Sequence, residues 1–147
     1  MKLKLPEAML AAFAEAEAAA ARGEVPVGAV VVDKAGVVLA KAGNRTLELK
    51  DPTAHAEMLA IREAARVLGS ERLVDCDLHV TLEPCAMCAA AISFARIRRV
   101  YYGPADEKMG GLSFFSQSIC HHAPEVYSGI GEGRAQLLLR EFFQARR

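Results

Sequence analysis

The chain has 147 residues, of which 52% are hydrophobic and 24% are charged, so it is long enough to bury a core of its own. Basic and acidic residues number 18 each, and this zero net charge excludes a general electrostatic attraction to nucleic acid. The apolar run at residues 25–32 is far too short to cross a membrane, and no membrane association is expected.

The first half of the chain is predicted to form a helix and then a β-hairpin, at residues 8–21, 25–32 and 37–41 with a turn at 33–36. The first segment is rich in alanine and glutamate, which favour helix, and Met9, Phe13 and Ala16 lie near one face of it. The second is a valine-rich run typical of a buried strand, and the third is its predicted hairpin partner.

The second half alternates strands with helices, in the order helix 54–68, strand 77–82, a helix opened by Pro84, strand 99–102, a short strand 125–127 and helix 134–147. Residues 103–124 carry no clear pattern. A hairpin followed by this βαβαβ order predicts an α/β fold, a three-layer α/β/α sandwich around a central mixed five-stranded sheet. We expect residues 1–147 to form a single domain.

The chain has four cysteines, and its N-terminus lacks the pattern of a secretion signal, which predicts a cytoplasmic protein without a disulfide framework. Cys85 and Cys88 are three residues apart at a predicted helix start, so their thiols share one face near the positive end of the helix dipole. Such a pair is typical of a zinc site, a redox pair or two small core residues.

His55 favours the metal interpretation of this cysteine pair. It opens one predicted helix while Cys85 and Cys88 open another, and both helices follow predicted strands. Ligands of open α/β sheets bind outside the carboxyl ends of the strands, where these helix starts meet. One histidine and two cysteines leave the fourth zinc position open for water, as a catalytic site requires.

Glu57 follows His55 and falls on the apolar side of the predicted helix at residues 54–68. A charged carboxylate is costly there without a partner, which indicates a function, although a first-turn glutamate also complements the helix dipole. On a regular helix, His55 and Glu57 point about 200° apart. They converge on one metal only if the helix begins near His55, so that the imidazole leaves from an irregular turn.

The chain resembles the cytidine and nucleobase deaminase superfamily, and bacterial tRNA-specific adenosine deaminases in particular. The strings that carry the resemblance are DPTAHAE at 51–57, VTLEPCAMC at 80–88, EVPVGAV at 24–30 and GNR at 43–45, together with Phe142 and Phe143. The resemblance implies a cytidine deaminase-like fold and one zinc ion per chain, held by His55, Cys85 and Cys88. It also implies that Glu57 is the catalytic proton carrier.

The same resemblance implies a substrate and a partner. Adenosine in a tRNA anticodon stem-loop is hydrolysed to inosine, and family members form homodimers whose active sites lie near the interface. The implied substrate-binding residues are Asn44, which hydrogen-bonds the base, Asp106 at the rim, and Phe142 and Phe143, which stack on bases or pack in the core. The segment after Asp106 is shorter than in that family, at residues 109–113, which puts substrate contacts there in doubt.

Three other functions remain open from the residues alone: a deaminase of free bases or nucleosides such as guanine or cytosine, a structural zinc module that binds RNA, and a redox protein. The run Cys120-His121-His122 also suggests a second metal site, although adjacent histidines seldom converge on one ion. Two basic clusters, Arg96–Arg98–Arg99 and Lys108 with the C-terminal arginines, are phosphate contacts or solvated faces.

Overall fold

The computed structural model describes residues 4–146, and one mixed sheet organises all of its helices. The helices are α1 (Glu7–Ala21), α2 (Ala56–Leu68), α3 (Ala86–Ala95) and α4 (Glu132–Gln144), and the strands are β1 (Gly28–Val32), β2 (Val38–Gly43), β3 (Asp77–Val80), β4 (Arg99–Tyr102) and β5 (Glu125–Tyr127). The strand order is β2-β1-β3-β4-β5. β1 pairs antiparallel with β2 and β3, whereas β3, β4 and β5 run parallel.

Two apolar layers sandwich the sheet, which confirms the predicted three-layer α/β/α architecture. On one side, Met9 and Phe13 of α1 pack with Val30 of β1 and with Ala135 of α4. On the other, the small residues of α2 and the apolar side chains of α3 pack against alternate strand residues such as Leu78. No helix within residues 4–146 is long and apolar enough to cross a membrane.

The close approach of α1 to the sheet depends on Gly28, the first residue of β1. A Cβ atom added there would lie 1.8 Å from the Ala12 carbonyl oxygen, so no larger residue fits without moving the helix. The Thr81 hydroxyl accepts a hydrogen bond from the Gly28 N–H at 3.2 Å. This contact joins the start of β1 to the end of β3, where the chain turns towards the cysteine pair.

Several predicted boundaries were wrong by a few residues. β1 starts at Gly28 rather than residue 25, because Pro26 has no N–H to donate and the Val27 N–H bonds locally to the Val25 carbonyl oxygen. The strand predicted at 77–82 ends at Val80. The last helix begins at Glu132, after Gly131 in the left-handed region, and ends at Gln144; the predicted end, Arg147, lies outside the described residues.

The segment at residues 103–124 has little regular structure. Within it, Leu112–Ser116 form a single 3₁₀ turn, and Gly110 pairs with Cys85 in an isolated antiparallel bridge. The chain therefore passes directly over the start of α3, and this places the segment at the rim of the site described next.

Candidate active site

The start of α2 resolves the conflict between the directions of His55 and Glu57. The helix begins at Ala56, and His55 precedes it with extended backbone angles, φ −71° and ψ 152°. The Asn44 Oδ1 atom accepts the Ala56 N–H at 2.8 Å, capping the helix from outside. His55 therefore leaves the chain before the helical twist begins, and its imidazole points to the same site as the first-turn residue Glu57.

The cysteine pair has a similar arrangement at the start of α3. Cys85 precedes the helix with extended angles, φ −73° and ψ 175°, and Cys88 lies in its first turn. Both Sγ atoms lie 3.6 Å from the His55 Nδ1 atom. The three ligand atoms all lie within 4.8 Å of one another, and no other such group of histidine, cysteine and carboxylate side chains occurs in residues 4–146.

These distances fit zinc. With Zn–S bonds of about 2.3 Å and Zn–N bonds of about 2.0–2.1 Å, the S···N edge of a tetrahedron is about 3.5–3.6 Å. The donor set of two sulfurs and one imidazole nitrogen also favours zinc, because magnesium and calcium select oxygen ligands. The ligand atoms of His55, Cys85 and Cys88 are therefore spaced as three corners of a tetrahedral zinc site would be.

Among the three side chains, Cys85 is the one that favours its negatively charged form. Hydrogen bonds from Cys88 and His55 lower the pKa of the Cys85 thiol to about 4, so it is a thiolate at neutral pH. The hydrogen bond between His55 and Cys85 raises the pKa of His55. The hydrogen bond between Cys88 and Cys85, together with burial, raises the pKa of Cys88. Binding of a divalent metal ion displaces the protons of His55 and Cys88, because zinc is held by neutral imidazole and by thiolates.

Glu57 lies beside this group and is only 4% exposed, as its place on the apolar side of the helix predicted. Burial raises the pKa of its carboxyl group above the ordinary value. It shares a cavity of about 230 Å³ with two of the proposed ligands and with the side chain that caps α2; the polar residues lining this cavity are Asn44, Thr46, His55, Glu57, Glu83, Cys85 and Asp106. A buried acid thus lies in the cavity that His55 and Cys85 also line.

The two predicted aromatic contacts are in different environments. Phe143 is 52% exposed and lines a second, larger cavity of about 540 Å³, which shares Val25, Leu82, Asp106 and Met109 with the first. Phe142 is 7% exposed and lines neither cavity. Its ring packs under the guanidinium of Arg146, 3.5 Å from the ring centre. Only Phe143 is therefore available to a molecule that enters from the rim.

Asp106 lies in the wall between the two cavities, but its carboxylate is already engaged. Its Oδ1 atom accepts the backbone N–H groups of Lys108 and Met109, each at 3.1 Å. The Asp106 N–H donates in turn to the Glu83 Oε1 atom at 3.0 Å, and the Leu112 N–H donates to Oε2 at 3.4 Å. The short loop is thus ordered around two carboxylates, one of which, Glu83, the sequence did not single out despite its place next to Pro84-Cys85.

The run Cys120-His121-His122 has a structural role in the described residues. The Ser93 hydroxyl of α3 accepts the N–H groups of His121 and His122 at 3.1 and 3.0 Å, and a ring nitrogen of His122 lies 2.8 Å from the Ile97 carbonyl oxygen. These bonds attach the segment to the end of α3. No second metal cluster forms within residues 4–146.

Part of the predicted basic surface is neutralised within the protein. Arg98 makes a bidentate pair with Asp77, and Arg99 bonds Glu125 at 2.7 Å. Lys108 instead lines the larger cavity and a third one beside Cys85. Among these cations, Lys108 is therefore the one placed close to the site.

Comparison with known proteins agrees with this geometry. Residues 4–104 match the cytidine and deoxycytidylate deaminase zinc-binding region. A tRNA-specific adenosine deaminase of Agrobacterium fabrum is 59% identical over 140 residues, covering 92% of this chain and 91% of the relative. A solved structure from a study of A-to-I editing by tRNA:A34 deaminases at the wobble position of transfer RNA is 58% identical, with a TM-score of 0.87, and covers 90% of this chain and 98% of that one.

Sequence similarity to a free-base deaminase is weaker. The guanine deaminase from Bacillus subtilis is 34% identical, with a TM-score of 0.65, and covers 75% of this chain and 73% of that one. The zinc-binding match, the histidine and cysteine geometry and the near full-length relatives point in one direction. This chain belongs to the cytidine and deoxycytidylate deaminase family and, within it, to the group of tRNA-specific adenosine deaminases.

Proposed function

We propose that this protein hydrolyses adenosine to inosine at the wobble position of tRNA and that the anticodon stem-loop is its macromolecular partner. The observation that carries the chemistry is a buried carboxylate, Glu57, in the same cavity as His55 and Cys85. Glu57 has no structural salt bridge in the described residues, so the cost of burying it is consistent with a catalytic role. The tRNA substrate is supported by the relatives and by the sequence match along the chain.

His55, Cys85 and Cys88 are proposed to hold the zinc ion. When bound, zinc supplies a Lewis acid that lowers the pKa of water towards neutrality. Glu57 takes a proton from the attacking water and delivers it to the adenine ring nitrogen next to C6, which makes C6 electrophilic. The new C6–O bond forms, Glu57 takes the remaining proton from the new C6 hydroxyl group and passes it to the amino group, and the C6–N bond breaks to release ammonia. Water and adenosine are thereby converted to inosine and ammonia.

Burial suits Glu57 to this alternation between base and acid. A carboxyl group with an ordinary pKa is a weak proton donor near neutral pH because it is almost fully ionised. Desolvation raises the pKa of Glu57, and this brings its two protonation states closer in free energy.

Substrate contacts are proposed for Asn44, Asp106 and Phe143. The Asn44 Oδ1 atom is already occupied by the Ala56 N–H, so the amide NH₂ group is the part left to donate to the base. Asp106 and Phe143 line the larger neighbouring cavity, where an exposed ring can stack on a base flanking the reacting one. Phe142, predicted as a fourth contact, is proposed to act indirectly by supporting α4 beneath Phe143.

We also propose a homodimer in the cytoplasm and a single deaminase domain over residues 1–147. Apolar side chains are exposed on and near α3, including Phe94 at 60% and Ile119 at 65%, and self-association would cover such a surface. The cytoplasm supplies tRNA together with the reducing conditions that keep Cys85 and Cys88 available as zinc ligands. Light scattering of the purified protein tests the dimer: a mass of one chain at micromolar concentration contradicts it.

The activity is tested by incubating the zinc-loaded protein with an arginine tRNA bearing an ACG anticodon and measuring inosine by nuclease digestion and mass spectrometry. The same tRNA with a GCG anticodon is the control for position. We expect inosine only in the first RNA. Conversion of free guanine or cytosine with no inosine in tRNA would instead establish a free-base deaminase.

A further inference from the structure

Glu24 is a buried carboxylate that the proposed chemistry does not use. It lies between α1 and β1, is 2% exposed, and its N–H donates to the Ala19 carbonyl oxygen at 2.9 Å. Its Oε1 atom accepts the Leu47 N–H at 3.1 Å, and its Oε2 atom accepts the Glu48 N–H at 2.9 Å. A buried charge is tolerated when its acceptors are satisfied, and here the partners that satisfy them come from a single distant turn.

That turn, residues 44–49, forms one wall of the cavity around Glu57. Asn44 and Thr46 line the cavity, and the Thr46 hydroxyl lies 3.4 Å from the Glu24 Oε1 atom. Arg22 reinforces the contact by donating to the Asn44 carbonyl oxygen at 3.0 Å. Arg22 and Glu24 therefore hold this wall of the cavity through contacts to residues 44–48.

Apolar packing does not hold this turn in place. Leu47 is 70% exposed and Leu49 is 50% exposed, so neither side chain contributes a buried anchor. The position of the turn depends instead on hydrogen bonds, and those to a charged acceptor are the stronger ones. Burial alone raises the pKa of Glu24, but the N–H groups of Glu48 and Leu47 outweigh it, and the pKa lies below its ordinary value. The Glu24 carboxylate is therefore ionised at neutral pH.

We propose that Glu24 is a positioning residue for deamination: it holds residues 44–48 so that Asn44 and Thr46 orient the base towards Glu57. This inference rests on the proposed function. Most of the affinity for an RNA comes from contacts outside the base pocket, so a misplaced wall affects the orientation of the base more than binding of the whole molecule. The effect is expected in kcat rather than in KM.

The kinetic test compares zinc-loaded, full-length wild type with Glu24→Gln and with the control Glu71→Gln. The amide of Glu24→Gln keeps one acceptor oxygen and replaces the other with a donor, whereas the side chain of Glu71 is 87% exposed and holds no loop. We expect kcat per bound zinc to fall at least about tenfold in Glu24→Gln, because small displacements of a reacting group cost one to two orders of magnitude in rate, and KM to change less than about threefold. Glu71→Gln stays at the wild-type value.

Amide hydrogen exchange tests the hydrogen bonds from residues 47 and 48 to Glu24 without any assay of activity. In wild type, the N–H groups of Leu47 and Glu48 exchange slowly although their side chains are exposed, and in Glu24→Gln they exchange at least about tenfold faster. The Arg98 N–H, which bonds the Cys76 carbonyl oxygen at 2.9 Å and lies outside this turn, is the internal reference. If Glu24→Gln fails to fold, the wild-type measurement still decides, since unprotected Leu47 and Glu48 amides overturn the proposal.

The remaining outcomes separate this inference from the proposed function. An active wild type with an equally active Glu24→Gln variant overturns the positioning role only. A wild type that forms no inosine in tRNA overturns the proposed function, whatever the exchange data show. Faster exchange at residues 47 and 48 together with a lower kcat at normal zinc content supports the inference.

Discussion

Replacing Glu57 by glutamine tests the proposed chemistry most directly. The substitution keeps the size of the side chain but removes the proton acceptor, in a cavity where Glu57 is 4% exposed. The cavity holds two other carboxylates, Glu83 and Asp106, but both are engaged by backbone N–H groups of the rim loop. Neither can replace Glu57 as a proton carrier without releasing the loop.

The expected loss is therefore at the upper end of the range for general acid–base catalysis, about 10³–10⁴-fold in kcat, or about 4–5 kcal/mol of barrier. Folding should not suffer, because a neutral amide costs less to bury than a carboxylate. The assay is inosine formation under single-turnover conditions, with zinc measured by mass spectrometry on the same sample.

The matched control for this experiment is Glu63→Gln on the same helix. Glu63 pairs with Arg66 at the surface and lies outside the cavity, so the kcat of the Glu63→Gln variant should stay within twofold of wild type. Glu57→Gln with a kcat within tenfold of wild type and normal zinc content would refute Glu57 as the proton carrier. Loss of zinc in that variant would refute the assumption that Glu57 is separate from the metal ligands.

Three further predictions concern metal, packing and pH. Removing zinc with a chelator should abolish inosine formation and lower the melting temperature, and Zn²⁺ but not Mg²⁺ should restore both, as recorded by calorimetry; recovery with Mg²⁺ would contradict the sulfur-rich site. Gly28→Ala should cost about 3 kcal/mol or more in urea unfolding because its Cβ meets the backbone of Ala12, whereas Gly133→Ala in α4, where nothing lies within 4 Å, should be neutral or stabilising; equal midpoints would refute the close approach. Because the folded pKa of Glu24 is lowered, its ionised form stabilises the protein above the unfolded pKa of about 4.3, so the difference in unfolding free energy between wild type and Glu24→Gln should shrink as the pH falls below about 5; a difference that is constant or grows would show the opposite shift.

Local patterns were sufficient to place Cys85 and Cys88 on one helix face and to predict the burial of Glu57. Cys85 and Cys88 are close in sequence and share a helix start, so their convergence needs no long-range information. The burial of Glu57 followed from the period of α2, because three or four residues separate neighbours on one helical face. The order of strands and helices limited the fold to a few topologies.

Other features depend on segments far apart in the chain. The direction of the His55 side chain depends on where α2 begins, and the Asn44 side chain, twelve residues earlier, caps that first turn. Phe142 and Phe143 are adjacent and chemically identical, yet only the packing of α4 against its neighbours decides which ring is buried. Glu24 and Glu83 read as ordinary charged residues until their distant backbone partners are known.

From residue types and spacing alone follow the approximate helices and strands, the shared helix start of Cys85 and Cys88 and the burial of Glu57, since each depends on neighbours within a few positions along the chain. Only tertiary structure decided the conformation of the rim: which loop lies over the start of α3, which carboxylates hold it and which aromatic ring is exposed. The physical reason is that exposed loops lack the regular spacing of apolar residues from which helices and strands are predicted. Their conformation is set by hydrogen bonds to partners that the fold brings close and the sequence keeps apart.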